Sequence, residues 1–411
     1  MSHEVRRGRG ARGTYPRSAS RAPDHDPAGR ATIAAVTGGA RRDPVVDAAA
    51  TSVVIPAHRA DESLRACLAS VAACRPPAGE VIVVADGEAP GCAALAAERG
   101  ARTLVTAGGE GPAVARNLGA REATGAVVLF LDADVVVPPD LVGRVARIFG
   151  EEPGLDGVFG SYDAAPAARG AVSAFRNLLH HHVHQTSRPE AFSFWSGCGA
   201  LRRSVLLESG GFDEGYRRPS VEDIELGARL VRDGRRIRLD RSLQVKHLKR
   251  WRLPAMVVAD VRDRALPWTA LILREKRLPS DLNLRHRHRL STAAVLALVA
   301  ALSATPALPR LGPAVAAASF LVLVAANLPF YRLLTALRGP GFLAAAVPLH
   351  ALHYLCGALG FAAGLARHVA TAWVPFRSRR PSAVAEAAKP TTGPGVSDTP
   401  ELAAAHVAPE P

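Results

Sequence analysis

The chain has 411 residues, of which 48% are hydrophobic and 5% aromatic, and it carries a net charge of +14. This length is sufficient for one large domain with additional segments. The positive charge suits nucleic acid, anionic lipid or phosphate-bearing substrates, but no basic stripe with interleaved aromatic residues occurs, so no nucleic-acid partner is expected.

The N-terminal segment, residues 1–50, is rich in Arg, Gly, Ala and Pro and is predicted to be a disordered basic tail. It has no continuous apolar core typical of a secretory signal, so export of the following domain is not expected. The five cysteines are scattered without a CxxC motif, which predicts reduced thiols rather than a zinc ribbon or disulfide framework. They are Cys67, Cys74, Cys92, Cys198 and Cys356.

From Thr51 onward, apolar β-branched runs alternate with segments of helical periodicity. This alternation predicts an α/β domain with a doubly wound, mainly parallel sheet and flanking helices. The predicted strands are Ser52–Pro56, Glu80–Asp86, Ala101–Val105 and Ala126–Leu131, and the predicted helices are Glu62–Ala73, Gly91–Arg99 and Gly111–Ala123.

Two of these strands end on acids, namely Asp86 and the pair Asp132 and Asp134. Ligands of such sheets bind at the carboxyl ends of the strands. Asp132 and Asp134 both follow a buried strand and repel each other unless a cation lies between them. Carboxylates together with substrate phosphates are the usual ligands of Mg²⁺. The sequence therefore predicts a divalent metal here, Mg²⁺ or Mn²⁺.

After Ser291 three long segments lack acidic and basic side chains, apart from histidines in the third. Each is close to the ~20 residues that cross a bilayer, so two or three transmembrane or membrane-embedded helices are expected. The segments are Ser291–Pro309, Leu311–Tyr331 and Gly339–Ala366, the last containing His350 and His353.

Basic residues beside these segments predict their orientation, because cytoplasmic ends are enriched in Lys and Arg. Arg285, Arg287 and Arg289 before the first segment predict that the α/β domain faces the cytoplasm in a multi-pass cell-membrane protein. Two membrane crossings with a third segment lying in the interface agree better with the positions of the basic residues. Three crossings agree better with the hydropathy of the three segments. Both remain open.

Five ordered motifs make the chain similar to inverting glycosyltransferases of family 2, which have the GT-A fold. They are TSVVIPAHR at 51–59, VIVVADGE at 81–88, GPAVARNLGAREATGAVVLFLDADV at 111–135, FWSGCGALRRSVLLESGGFDE at 194–214 and SVEDIELGARL at 220–230. Together they cover most of residues 51–230. The resemblance implies transfer of a sugar from a nucleotide-sugar donor.

The resemblance also implies which residues bind the donor. Pro56 packs against the nucleotide base, Asp86 accepts a hydrogen bond from the base, and Arg116 and Asn117 face the donor. For Arg116, phosphate binding and a structural salt bridge are both open. Ala85 replaces one acid of the usual pair, so both a UDP-sugar and a GDP-sugar remain possible. Asp132 is expected to contact both the nucleotide-sugar and the metal ion.

Asp223 matches the acid that acts as general base in the family, and Glu222 is expected to support it. Inversion requires one carboxylate to take the proton of the acceptor hydroxyl. The apolar periodicity after Asp223 predicts a helix, whose first turn favours acids even without a catalytic role. Within the motif order, the resemblance favours the general base.

The remaining candidates surround the acceptor and the metal. Trp195 is expected to stack on a sugar ring, beside a turn that contains Gly197, Cys198 and Gly199 and precedes a helix-like run. Arg202 and Arg203 are further candidates for phosphate contact. The resemblance places His247 in the metal site and Arg250 and Trp251 in a diphosphate clamp, although their spacing differs from the QxxRW signature of processive synthases.

His180 and His184 share one helical face, which suits zinc, but no further ligand is evident nearby. A polar helix near the acceptor loop is the favoured interpretation.

The predicted organisation is a tail at 1–50, a GT-A domain at 51–250, a juxtamembrane linker at 251–290, membrane helices at 291–370 and a disordered tail at 371–411. The expected function is a membrane-associated, metal-dependent hexosyltransferase of the cell envelope acting on a lipid, lipid-linked or glycan acceptor. A non-catalytic scaffold and a nucleotidyltransferase are the alternatives.

Overall fold

The computed structural model describes residues 47–87, 91–276 and 285–372. Its centre is an eight-stranded sheet with the strand order β3-β2-β1-β4-β7-β6-β8-β5. Helices flank this sheet, and further helices follow it. The predicted tails lie outside the described residues, except for the few positions at their inner ends.

The first half of the sheet is parallel and follows the predicted alternation of strands and helices. The strands β1 and β4 are buried almost throughout, as their continuous apolar runs predict, whereas the edge strand β3 is partly exposed. The elements are β1 (Thr51–Ala57), α1 (Glu62–Ala72), β2 (Glu80–Ala85), α2 (Cys92–Ala97), β3 (Arg102–Val105), α3 (Pro112–Glu122) and β4 (Val127–Leu131). The α/β prediction is confirmed here.

The second half of the sheet is mixed, because β7 runs antiparallel to both β4 and β6, while β6 and β8 are parallel. Its elements are β5 (Val135–Val136), α4 (Leu141–Glu151), β6 (Gly157–Tyr162), α5 (Ala171–Thr186), β7 (Cys198–Arg202), α6 (Arg203–Glu208), α7 (Glu222–Arg232) and β8 (Ile237–His247). The sheet as a whole is therefore mixed, and helices flank it.

One local prediction is wrong in part. The helix-like run expected after the turn at Gly199 is a strand as far as Arg202, and the helix begins only at Arg203. The segment is extended because it lies between β4 and β6 and hydrogen-bonds to both, which local sequence does not reveal. Tertiary pairing here overrides propensity.

The C-terminal part is helical. It comprises α8 (Leu253–Val258), a π-helix (Ala259–Ala265), α9 (Leu266–Glu275), α10 (His286–Ala304), α11 (Leu311–Ala326), α12 (Leu328–Arg338) and α13 (Leu343–Ala372). These helices share a hydrophobic core with the sheet: Phe330 of α12 and His350 of α13 both pack against Phe175 of α5.

The structure supports fewer membrane spans than hydropathy predicts. Within the described ranges, one helix, Pro340–Ala370, is long and apolar enough to cross a bilayer. The pair α11 and α12 is bent by 70° and adds a second candidate if it is counted as one broken span. The first predicted segment falls on α10, which is not among these candidates. Three full crossings are therefore not shown.

The bend between α11 and α12 lies at Asn327, which is buried in a polar network. Its side-chain amide donates to Ser291 Oγ at 2.8 Å and its carbonyl oxygen accepts from the Tyr354 hydroxyl at 3.0 Å. Asn327 thus joins α10, the bend and α13, and its hydrogen bonds satisfy polar groups that would be costly if buried alone.

Candidate functional site

The two acids of the Asp132-Ala133-Asp134 turn are brought to His247 by the short strand β5. This strand pairs antiparallel with the end of β8, and Val135 lies opposite His247. As a result, His247 Nε2 lies 3.6 Å from Asp134 Oδ2. The predicted grouping of Asp134 and His247 is observed.

Asp132 has a different partner. Its Oδ1 accepts a hydrogen bond from Arg116 Nη2 at 3.0 Å, while Arg116 Nη1 donates to Glu222 Oε1 at 2.9 Å. Arg116 and Glu222 are buried, whereas the Asp132 side chain is 32% exposed. Of the two roles left open for Arg116, the structure contains the salt bridge.

Asp223 lies in the first turn of α7, directly after Glu222. Its Oδ2 accepts hydrogen bonds from the backbone nitrogen and the hydroxyl of Ser196, at 3.1 and 3.2 Å. Burial and the neighbouring Glu222 raise the pKa of Asp223 to about 7, against the opposing effect of Arg116. A carboxyl with such a pKa can take up a proton near neutral pH.

The acids of the turn have shifted pKa values as well. Burial raises the pKa of Asp132, although Arg116 opposes this. Burial also acts to raise the pKa of Asp134, but the neighbouring His247, with Lys249, lowers it overall. The two carboxylates therefore differ in how readily they ionise.

The loop before β7 positions Trp195 and the backbone that contacts Asp132. A Cβ on Gly197 would lie 2.4 Å from the Trp195 ring, and one on Gly199 2.3 Å from the Trp195 carbonyl oxygen, so both positions require glycine. Gly197 O accepts from Asp132 N at 3.3 Å. The predicted loop thus lies beside the acids, with Cys198 buried at its end.

The base-reading candidate Asp86 lies at the end of β2. Thr106 Oγ1 and Glu110 N donate to its Oδ1 at 2.8 and 3.1 Å, and Gly111 N donates to its Oδ2 at 3.3 Å. These bonds fix the orientation of the carboxylate. Pro56 lies on the neighbouring strand β1.

Asn117 makes other contacts than expected. Its side chain donates to Phe212 O and Glu214 Oε1, and accepts from Phe212 N, so it holds the loop before α7. Arg202 is buried and donates to carbonyl oxygens around the end of α4, and Arg203 donates to carbonyls at the end of α3. These hydrogen bonds connect each of the three side chains to neighbouring parts of the fold, and their proposed contacts with the donor stay predictions.

Two neighbours of the candidate residues, Tyr162 and Ser196, were not singled out from the sequence. Tyr162, at the end of β6, stacks on His247 with ring centroids 4.1 Å apart and an interplanar angle of 9°. Ser196 binds Asp223 as described. Ser196 lies between two residues already singled out, Trp195 and Gly197, which is a weak local hint; Tyr162 has none.

Residues 248–252, called the strap here, follow β8 directly. Leu248 N donates to Asp134 O at 2.8 Å, and Trp251 N donates to Ser173 Oγ at 2.9 Å. Lys249 Nζ lies 4.7 Å from the Trp251 ring centroid, and Arg250 is exposed. The two clamp candidates are therefore connected to the acids through the backbone of the strap.

Two histidines of α5, His180 and His184, contact aromatic rings and a backbone carbonyl oxygen. His184 Nδ1 bonds to Gly160 O at 2.9 Å, and His180 packs against Tyr162 and Trp195 with centroids 4.3 and 4.6 Å away. In the part of the chain that the structure describes, no three His, Cys, Asp or Glu side chains form a metal cluster. All five cysteines are free and buried, as expected.

A divalent cation nevertheless fits the acids chemically. Asp132 and Asp134 are partly exposed, at 32% and 29%, and offer hard oxygen ligands. Mg²⁺-type sites commonly use one or two carboxylates and take their other ligands from water and substrate phosphates. The carboxylate oxygens of Asp132 and Asp134 thus suit a divalent metal whose remaining ligands come from water and substrate phosphates.

Comparison with known proteins gives one family and several distant structures. Residues 52–210 match the family model Glycosyl transferase family 2. The chain is similar to the mannosyltransferase PcManGT from Pyrobaculum calidifontis in complex with GDP-Man and Mn²⁺, with 17% identity, a TM-score of 0.48 and coverage of 76% of this chain and 86% of that one. It is also similar to S. aureus TarS 1–349, with 15% identity, a TM-score of 0.44 and coverage of 75% and 90%. No curated protein matched.

The buried Arg116 predicts a specific loss of stability. We expect Arg116→Met to lower the free energy of unfolding by about 3–5 kcal/mol, because it leaves Glu222 as an unpaired buried charge. Thermal unfolding of the full-length protein measures this as a lower midpoint. Arg121→Met is the matched control on the same helix, since Arg121 is half exposed and its pair with Glu214 is worth little. Equal midpoints for the two variants would contradict the prediction.

Proposed function

Because residues 52–210 match the family model Glycosyl transferase family 2, we propose that the chain is an inverting glycosyltransferase that uses a UDP- or GDP-sugar donor. The observation that carries the proposal is the link from Asp223 through Glu222 and Arg116 to Asp132, which sets a candidate base beside candidate metal acids. Acceptor, donor phosphates and base would meet at this edge of the sheet.

In the proposed reaction Asp223 takes the proton of the acceptor hydroxyl. The acceptor oxygen attacks the anomeric carbon, the bond from that carbon to the leaving diphosphate oxygen breaks, and the configuration inverts. Ser196 orients the Asp223 carboxylate through two hydrogen bonds. The raised pKa of Asp223 lies close to neutral pH, where a general base is most effective.

Asp134, with Asp132 and His247, would hold Mg²⁺ or Mn²⁺, and the bound ion would neutralise charge on the leaving diphosphate. Tyr162 would keep the His247 ring in place by stacking. Asp86 and Pro56 would contact the nucleotide base, and Arg250 and Trp251 the diphosphate. Trp195 would pack on a sugar ring.

Membrane attachment through α10–α13 is part of the proposal, with the catalytic domain facing the cytoplasm and a lipid or lipid-linked acceptor. The supporting observation is a set of large exposed apolar side chains on these helices, with charged residues scarce between them. The set includes Leu296, Leu302, Leu311, Phe320, Leu321, Leu359, Phe361 and Val369.

The position of α13 favours the interface over a full crossing. A face of α13 packs on the π-helix, which carries Arg262 with an exposed side chain. Charged side chains are costly in the hydrocarbon region, so this part of α13 suits the membrane surface. Its other face offers the apolar side chains that an interfacial helix buries.

The base assignment is tested by turnover. With purified full-length protein, a screen of nucleotide sugars should show release of one nucleoside diphosphate, and Asp223→Asn should reduce its rate about 10²–10⁴-fold. Because the base must be ionised and burial raises its pKa to about 7, kcat/KM should rise with pH through about 7 and then level off. Asp233→Asn, at the exposed end of the same helix, is the control. Full activity of Asp223→Asn would remove the assignment.

The metal assignment is tested by binding as well as activity. Chelation should abolish turnover, and Mn²⁺ or Mg²⁺ should restore it. Asp134→Asn should weaken Mn²⁺ binding in the presence of nucleoside diphosphate, measured by electron paramagnetic resonance, by about 10–100-fold. Asp140→Asn is the control, because Asp140 is exposed and lies before α4. Unchanged Mn²⁺ affinity in Asp134→Asn would exclude its role as a ligand.

Attachment is tested by placing charge on the exposed apolar faces. A triple variant, Leu302→Lys with Leu321→Lys and Leu359→Lys, should move the protein from the membrane pellet to the soluble fraction, because a charged side chain is costly on an apolar face that is buried in a membrane. The double variant Val105→Lys with Leu207→Lys changes exposed apolar residues of the sheet domain and should stay in the pellet. Identical fractionation of the two variants would argue against attachment through these helices.

A further inference from the structure

Helix α5 contacts the site at two separate places. Near its start, Ser173 Oγ accepts a hydrogen bond from Trp251 N of the strap at 2.9 Å. Further along, His180 packs against the Trp195 ring at 4.6 Å. Any force that fixes α5 therefore acts on both tryptophans of the candidate site.

Arg176 of α5 is held by a buried carboxylate. Its Nη1 lies 2.6 Å from Asp260 Oδ1, with side chains that are 5% and 2% exposed. The same guanidinium lies 5.0 Å from the centroid of the Trp251 ring, within cation–π range. Asp260 thus determines where a cation sits against the strap.

The second carboxylate oxygen of Asp260 contacts the C-terminal helix α13. His353 Nδ1 of α13 lies 2.8 Å from Asp260 Oδ2. Burial would raise the pKa of the Asp260 carboxyl, but His353, Arg176 and Arg264 lower it below its ordinary value, so the group is charged at neutral pH. One carboxylate therefore joins α5, the π-helix and α13.

The contact between α13 and the π-helix leaves no space for a side chain. A Cβ on Gly360 would lie 2.3 Å from Ala265 Cβ, whereas a Cβ on Gly357 would have no neighbour within 4 Å. Since Ala265 ends the π-helix that carries Asp260, the position of α13 sets the position of this carboxylate. π-Helical turns often occur at functional sites.

We propose that Asp260 is a positioning residue that couples α13 to the nucleotide-sugar site: shared between His353 and Arg176, it fixes Trp251 and with it the strap. The strap continues from His247 and is hydrogen-bonded to the Asp134 carbonyl through Leu248 N. Its displacement should weaken binding of the donor diphosphate. This inference rests on the proposed function, in which Arg250 and Trp251 contact that diphosphate.

The test measures binding of UDP and GDP to the full-length protein by calorimetry, together with KM and kcat for the donor. Asp260→Asn should raise the Kd of whichever nucleotide the wild type binds by about tenfold or more, and raise KM more than it lowers kcat. Asp263→Asn is the control in the same π-helix; its carboxylate is paired with the exposed Arg262, and it should bind as the wild type does.

A second pair of variants tests the coupling without removing a charge. Gly360→Val should push α13 from the π-helix and raise the nucleotide Kd, while Gly357→Val, on the same helix in open space, should not. If Asp260→Asn unfolds, Arg176→Met with Asp260→Leu removes the whole buried pair, which commonly preserves stability. Nucleotide binding should stay weak in this double variant although its melting midpoint recovers.

The outcomes separate this inference from the proposed function. A wild type that binds neither nucleotide overturns the proposed function and this inference with it. A wild type that binds, together with Asp260→Asn and Gly360→Val proteins that bind equally well, overturns the coupling alone and leaves Asp260 a structural residue.

Discussion

The arrangement of the candidate site depends on one buried guanidinium. Arg116 comes from α3, Asp132 from the turn after β4, and Glu222 from the first turn of α7, so a single side chain joins three elements. This requires α3 to lie very close to the sheet. Gly119 permits it, since a Cβ there would lie 2.4 Å from Val54 Cγ1. The close packing of α3 on the sheet is therefore a condition for the ion pairs that Arg116 makes in the site.

The guanidinium also limits how many carboxylates can be ionised together. Its positive charge is shared by Asp132 and Glu222 and influences Asp223, so it cannot compensate all three. Asp134 and Asp223 therefore prefer different ionisation states. His247 and Lys249 favour the ionised form of Asp134, whereas burial and Glu222 favour the neutral form of Asp223. A cation near Asp134 and a proton on Asp223 would each reduce the same excess of negative charge.

Much of this could be predicted from sequence because it is local. The parallel half of the sheet follows its apolar runs, and Asp132 and Asp134 follow the end of a strand, where ligands bind. What could not be predicted depends on tertiary contacts. The strand β7 is extended because it pairs with two neighbouring strands, and the hydrogen bond from Asn117 to Phe212 joins residues that are far apart in the sequence. Tyr162 had no local signal, because only folding brings it onto His247.

Hydropathy predicted the number of membrane-spanning helices at the C-terminus less well than it predicted the strands of the sheet. It counts apolar side chains without showing which face of a helix they occupy or what covers them. Phe330 and His350 pack on Phe175 of α5, so part of the apolar surface that suggested membrane spans belongs to the core of the sheet domain. The polar side chain of Asn327 is likewise buried against helices rather than lipid. Since these helices share a core with the sheet domain, the proposed attachment to a membrane would link membrane contact to the geometry at the acids.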